Sequence, residues 1–219
     1  MVLGHPELSS LIDQARVDLG SVHAAREAGL PACREVIRLA GSTIRAVHRR
    51  EHEQVGLLLA RCEEALRRAQ AAVGPYPGVA YSGFLHDAEK EYAEAVLTDA
   101  LVAGRPLVDQ GALRVGLPAW LNGLAEAASE LRRHILDRLR RGEPDAAESL
   151  FASMEDAYEA IVQIDFPDAI TGGLRRSADA LRAVLERTRS DLTTTLLQNR
   201  LQAALEGRAA APLDCDLPR

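Results

Sequence analysis

The sequence predicts an all-α protein, and three observations support this fold class. Apolar residues recur every three or four positions along most of the chain, as on one face of an α-helix, rather than at alternate positions as in a strand. Aromatic residues make up only 4% of the chain, so the propensity for strands is weak. Hydrophobic residues make up 47% of the 219 residues, which is enough for the core of one domain. We therefore expect a single antiparallel bundle of six to seven helices.

The first half of the chain contains three helical patterns. The first runs from about residue 8 to 54, and we expect Gly29 and Pro31 to bend or break it. The second apolar stripe extends from Val55 to Val73 and stops at the turn-rich sequence GPYPG. A third helix is predicted from about residue 80 to 103, before an irregular connection that is rich in glycine and proline.

The second half of the chain predicts three more helices. Pro118 and Pro144 each suit the first turn of a helix, and the sequence RRGEPD at 140–145 separates the two. A long last helix begins near Leu174. We expect residues 1–207 to form one domain and residues 208–219 to form a flexible tail.

The charge and the cysteines limit the class of protein. The formal net charge is -6, so a nucleic acid would have to bind at a local basic cluster. Cys33, Cys62 and Cys215 lack the spacing of a zinc site, which fits reduced thiols in the cytoplasm. The sequence contains neither a signal peptide nor an apolar run long enough to span a membrane, so we expect a cytoplasmic protein with no membrane partner.

Acidic residues recur on three of the predicted helices. Glu91 and Glu94 lie three positions apart in EKEYAEA, so both carboxylates project from the same side of a helix. If the three helices pack together, their carboxylates repel one another unless a cation neutralises them, and oxygen ligands favour Mg²⁺ or Mn²⁺. The alternative is that these acids simply face solvent. The further candidates are Glu126, Glu130, His134 and Asp137 on the fourth helix and Glu155, Asp156 and Glu159 on the fifth.

Other kinds of site have less support. A ferritin-like di-iron centre needs two Glu-x-x-His pairs, and the chain contains none. No serine or cysteine lies in a recognisable nucleophile elbow. Basic residues cluster at 45–52, 132–141 and 174–176, where they either form solvated surfaces or bind phosphate groups.

Four stretches of the chain, taken in order and at their spacing, resemble the family of translin and translin-associated factor X. The resemblance covers about residues 33 to 192 and is stronger to the catalytic factor X side and its prokaryotic homologues. The stretches are CREVIRLAGSTIRAVHRRE at 33–51, EKEYAEA at 89–95, LPAWLNGLAEAASELRRHILDRLRRGEPD at 117–145 and MEDAYEAIVQIDFPDAITGGLRRSAD at 154–179.

This resemblance implies catalytic residues. The E-x-x-E pair of the family falls on Glu91 and Glu94, and its third catalytic acid, an Asp after a tyrosine, falls on Glu159. The acid of the G-x-A-D element falls on Glu126, so Glu replaces Asp at both of these last positions. Glu130 matches a Glu of the non-catalytic translin chains and is either a ligand or structural. The resemblance thus implies Glu91, Glu94 and Glu159 as catalytic residues, and these three with Glu126 as ligands of Mg²⁺ or Mn²⁺.

The resemblance also implies partners. Such proteins form hollow octamers, and the catalytic subunits are metal-dependent endoribonucleases that act on single-stranded RNA inside the shell. We expect a homo-octamer that binds single-stranded RNA or DNA. One alternative is a translin-like binding oligomer without catalysis, whose chains lack these acids, and another is a structural helical scaffold. The expected nucleic-acid contacts are Arg45, His48, Arg49, Arg132 and Arg133.

Overall fold

The computed structural model describes residues 6–209, and side chains from Leu8 to Glu206. The tail predicted at 208–219 lies outside the residues whose side chains are described. Over the described range the chain is helical with no strand, as predicted. Six helices are long: α1 (Pro6–Arg49), α2 (His52–Val73), α4 (Phe84–Val102), α6 (Leu117–Arg140), α7 (Pro144–Val162) and α9 (Leu174–Ala209); three are single turns: α3 (Pro77–Ala80), α5 (Gln110–Leu113) and α8 (Asp168–Thr171).

The first helix is continuous from Pro6 to Arg49. Pro31 lies inside it and removes one backbone hydrogen bond, but the helix continues past this residue. Gly29 is required here because an added Cβ would lie 2.3 Å from Cγ1 of Val73, so only glycine lets α1 pack this closely on α2. The helix ends at Arg49, earlier than the predicted end at 54, because Arg50 adopts a left-handed conformation with φ of 62°.

The centre of the bundle is formed by α4 and α6, which pack on each other. Helix α4 also packs on α1, and α6 also packs on α7 and α9. Small side chains allow the close spacing of α4 and α6, because alanine adds little to the distance between two helix axes. The fully buried alanines include Ala88, Ala93 and Ala95 on α4 and Ala119, Ala127 and Ala128 on α6.

Two helix ends extend beyond the bundle. From residue 8 to 24, every residue of α1 is exposed, and so is every described residue of α9 beyond Leu196. Both segments carry large apolar side chains, which soluble monomers seldom leave uncovered in contiguous patches. Among the described helices, none combines the length and the apolar character needed to cross a membrane. The exposed apolar residues include Leu8, Leu11, Ile12, Val17 and Leu19 on α1 and Leu197, Leu201 and Leu205 on α9.

Candidate metal centre

Two carboxylates project from α4 toward α6. Glu91 and Glu94 lie on the side of α4 that meets α6, and the two helices come unusually close at Gly123. A Cβ at Gly123 would lie 2.9 Å from the Lys90 carbonyl oxygen and 3.0 Å from the Glu94 nitrogen, so no larger residue fits without a shift. Glu126 follows one turn later on α6. The close approach therefore carries Glu126 to the two glutamates of α4.

Three glutamates meet at this contact. One carboxylate oxygen from each of Glu91, Glu94 and Glu126 lies within 4.8 Å of the other two. Among the described residues, this is the group of acidic, histidine and cysteine side chains whose geometry suits a metal ion. The sequence predicted all three as ligands, and the structure brings them together from two helices.

The charge of Glu94 is poorly compensated. Its side chain is buried, with 8% exposed. Burial raises the pKa of Glu94 from 4.5 to about 8, and the negative charges of Glu126, Glu91 and Glu130 contribute further. Repulsion of this kind is relieved by a proton or by a cation held among the carboxylates. The donor set therefore fits a hard divalent cation, which prefers oxygen ligands.

Lys90 supplies the positive charge nearest to the cluster. Its Nζ donates hydrogen bonds to both carboxylate oxygens of Glu126, at 2.7 Å each, and lies 3.3 Å from Oε1 of Glu91. Burial lowers the pKa of Lys90, but the hydrogen bonds and charges of Glu126 and Glu91 outweigh burial, and the net pKa is raised above its usual value. No pattern in the sequence predicted a role for Lys90 at this site.

A chain of polar side chains extends the cluster along α6. Nε2 of His48 lies 2.7 Å from Oε2 of Glu130, and Nδ1 of His48 lies 3.0 Å from Nε2 of His134. The hydrogen bond from His48 lowers the pKa of Glu130, while burial and the neighbouring His48 lower the pKa of His134 to about 4. Glu130 is thus ionised and held by α1, outside the group of three carboxylates.

The structure places one predicted ligand, Glu159, outside the carboxylate cluster. Glu159 is exposed on α7. The buried face of α7 carries Met154, Ala157 and Ile161, and Glu159 lies two positions from the last two of these, so it points away from the bundle. The third carboxylate beside Glu91 and Glu94 is that of Glu126.

The predicted nucleic-acid residues separate into two groups. Arg45, Arg49 and Arg133 are exposed, as contact with a phosphate requires. Arg132 instead donates to Asp191 at 2.8 Å and to Thr188 at 3.1 Å, which ties α6 to α9.

His48, also predicted as a nucleic-acid contact, lies inside the bundle. Its side chain is only 6% exposed, and both ring nitrogens are engaged by Glu130 and His134. The residue links α1 to α6, and its ring has no free edge to offer a phosphate group.

Comparison with known proteins gives the same fold. The chain is 32% identical to AfC3PO, which was solved in complex with duplex RNA; the match covers 85% of this chain and 97% of that one, with a TM-score of 0.79. Apo-NeC3PO has the same fold at 15% identity and a TM-score of 0.75, over 84% of this chain and 96% of that one. An uncharacterised protein of Methanocaldococcus jannaschii is 25% identical over 208 residues, which are 94% of this chain and 90% of that protein. No protein-family profile matches the chain.

Proposed function

Because the chain belongs to the family of translin and translin-associated factor X, we propose that it is a metal-dependent endoribonuclease that cleaves single-stranded RNA. The observation that carries this proposal is the cluster of Glu91, Glu94 and Glu126, in which a buried carboxylate faces two others. A subunit that only binds RNA would gain nothing from this arrangement, since negative charge repels phosphate groups.

The three carboxylates would hold Mg²⁺ or Mn²⁺. When bound, such an ion activates water and neutralises charge that develops on the scissile phosphate. Glu91 and Glu94 lie one turn apart on α4 and Glu126 lies on α6, so rigid helices rather than loops fix the ligand positions. The burial of Glu94 keeps bulk water from one side of the site.

The exposed arginines would position the RNA. Arg45, Arg49 and Arg133 are exposed, and the guanidinium group is well matched to phosphate oxygens. Arg45 would exchange its hydrogen bond to the neighbouring Ser42 for one to a phosphate group. Contacts of this type fix the strand without reading its sequence. RNA as the polymer is supported by the duplex RNA complex of the relative AfC3PO, and the preference for a single strand is part of the proposal.

The assembly would be a closed homo-octamer in the cytoplasm. The exposed apolar residues at the start of α1 and the end of α9 support an oligomer, because contacts between copies of the chain would cover them. Among the described residues, Cys33 and Cys62 are buried free cysteines, so neither needs an oxidising compartment.

The test is cleavage of one RNA sequence, offered as a single strand and as a duplex, with Mg²⁺ or Mn²⁺. Glu91→Gln, Glu94→Gln and Glu126→Gln should each reduce the cleavage rate by about two orders of magnitude or more, while Glu159→Gln should cleave like the parent. Equal rates for the first three variants and the parent would refute the metal site. If the parent binds RNA but does not cut it with either ion, the protein is a binding oligomer instead.

Glu148→Gln is the matched control for these variants. Glu148 is exposed on α7, so loss of its charge should change neither the fold nor the cleavage rate. Glu155 serves this purpose less well, because it forms an ion pair of 2.6 Å with Arg189 of α9. Helicity and mass in solution, measured for every variant, would separate loss of chemistry from loss of structure.

A further inference from the structure

Lys90 is the only lysine in the chain. The sequence contains 26 basic residues of the Lys and Arg types, and all the others are arginine. This single ammonium group lies at the cluster of three glutamates. It is 20% exposed, and it contacts Glu126 and Glu91 at distances between 2.7 and 3.3 Å. The lysine therefore lies where, among the described residues, three carboxylates converge.

Lys90 engages the atoms that a metal ion would need. Both oxygens of Glu126 accept hydrogen bonds from Nζ of Lys90, so the carboxylate cannot offer the same lone pairs to a divalent cation at the same time. The ammonium group also offsets part of the repulsion between Glu91 and Glu126. It thereby performs part of the neutralising role of an ion.

The chemical properties of lysine suit an ion pair that breaks when a metal ion binds. Its ammonium is a compact charge on a flexible four-carbon stem, with three donors that rotate freely. An arginine would instead form a planar, two-pronged pair with Glu126, which is harder to separate. Since every other residue of the Lys and Arg types in this chain is arginine, the lysine at position 90 indicates an ion pair that can separate.

We propose that Lys90 is the resident counter-ion of the site: it occupies Glu126 in the metal-free protein and releases this carboxylate when a divalent cation binds. This inference rests on the proposed metal site. It explains how the bundle folds around three converging carboxylates without an ion. It also means that a cation binds by exchange with the ammonium group, which lowers the apparent affinity of the site.

The unique lysine allows a direct test. Protein grown with lysine labelled with carbon-13 at Cε gives one lysine signal, and Mg²⁺ is diamagnetic, so the signal can be followed during a titration. We expect this signal to move to the position of a solvent-exposed lysine as Mg²⁺ saturates the site. The titration is paired with thermal melts, in which Mg²⁺ should raise the melting temperature of the parent but not of Glu94→Gln.

The outcomes distinguish the two proposals. Stabilisation by Mg²⁺ without any change in the lysine signal would overturn the counter-ion role and leave the metal site intact. No stabilisation and no change in the signal would overturn both. A change in the signal that persists in Glu94→Gln would show that Mg²⁺ acts elsewhere and would also overturn the proposal.

Substitution of Lys90 supplies an independent measurement. Lys90→Gln should bind Mg²⁺ about tenfold more tightly, because a charge-assisted hydrogen bond of typical strength no longer has to be broken. Lys90→Arg keeps the charge and should bind Mg²⁺ no more tightly than the parent. Arg187→Gln, which removes an exposed charge from α9, is the control and should leave the affinity unchanged. Equal or weaker binding by Lys90→Gln would contradict the exchange.

Discussion

Removal of the buried charge at Glu94 should stabilise the metal-free protein. The pKa of Glu94 is about 8 in the folded protein, compared with 4.5 for an ordinary glutamate. The folded state therefore holds a proton that the unfolded chain has already lost. The destabilisation is absent below the unfolded pKa, grows as the pH rises from 4.5 to 8, and is constant above that range.

The magnitude follows from the shift in pKa. One pKa unit corresponds to about 1.4 kcal/mol, so the charged form of Glu94 costs about 5 kcal/mol well above pH 8 and about 3 kcal/mol at pH 7. At pH 5 the same calculation gives about 1 kcal/mol. Glu94→Gln has no charge to bury at any pH. The variant should therefore exceed the parent in stability by a margin that grows by about 2 kcal/mol between pH 5 and pH 7.

The assay is urea unfolding in EDTA at pH 5, 7 and 9, at one protein concentration because the stability of an oligomer depends on concentration. Glu148→Gln, an exposed neutralisation, should follow the parent at every pH. If Glu94→Gln is no more stable than the parent at pH 9, or if its advantage does not increase with pH, Glu94 is not a buried, uncompensated carboxylate. The electrostatic basis of the proposed metal site would then be lost.

Three further predictions concern the surroundings of the site. His48→Ala leaves the buried His134 and the half-buried Glu130 without these hydrogen bonds and should lower the free energy of unfolding, measured in urea, by about 2 to 3 kcal/mol. His23→Ala, at an exposed position, should have no such effect. Arg133→Gln should reduce by about one the slope of log affinity for single-stranded RNA against log salt concentration; an unchanged slope would show that Arg133 does not contact the RNA. Arg132→Gln should instead lower the free energy of unfolding, since it breaks an ion pair between α6 and α9. Leu201→Glu places a charge in the exposed apolar stripe of α9 and should reduce the mass measured by light scattering; a monomeric parent would contradict the oligomer itself.

The helices were predictable because their signals are local. Pro118 and Pro144 mark the starts of α6 and α7 as predicted, since a proline in the first turn lacks only a donor that the helix does not use there. The junction of α1 and α2 was not predictable. It depends on the left-handed conformation of Arg50, a non-glycine residue with no turn signal, and on how two long helices meet.

The site was predictable where spacing decides it. Glu91 and Glu94 follow from helical periodicity, whereas the resemblance to a known family was needed to single out Glu126 among the acidic residues of its helix. Glu159 was assigned from a motif, and the motif does not contain the rotation of α7 that turns this residue to solvent. Lys90 escaped notice because its long stem reaches a carboxylate on another helix. A pattern along one chain cannot show such a contact, although the rarity of lysine here was a usable signal.

Both the packing of α4 on α6 and the assembly of the carboxylate cluster require that residue 123 carries a hydrogen atom in place of a side chain. The distance between α4 and α6 at Gly123 determines how closely the three carboxylates approach one another. This distance is short because glycine has no side chain. A single added methyl group would widen the gap while leaving every charged group in the sequence. A relative of this protein could thus keep all of its acidic residues and still lose the ability to gather them. In this fold, an inventory of acidic residues is informative only together with the residue at position 123.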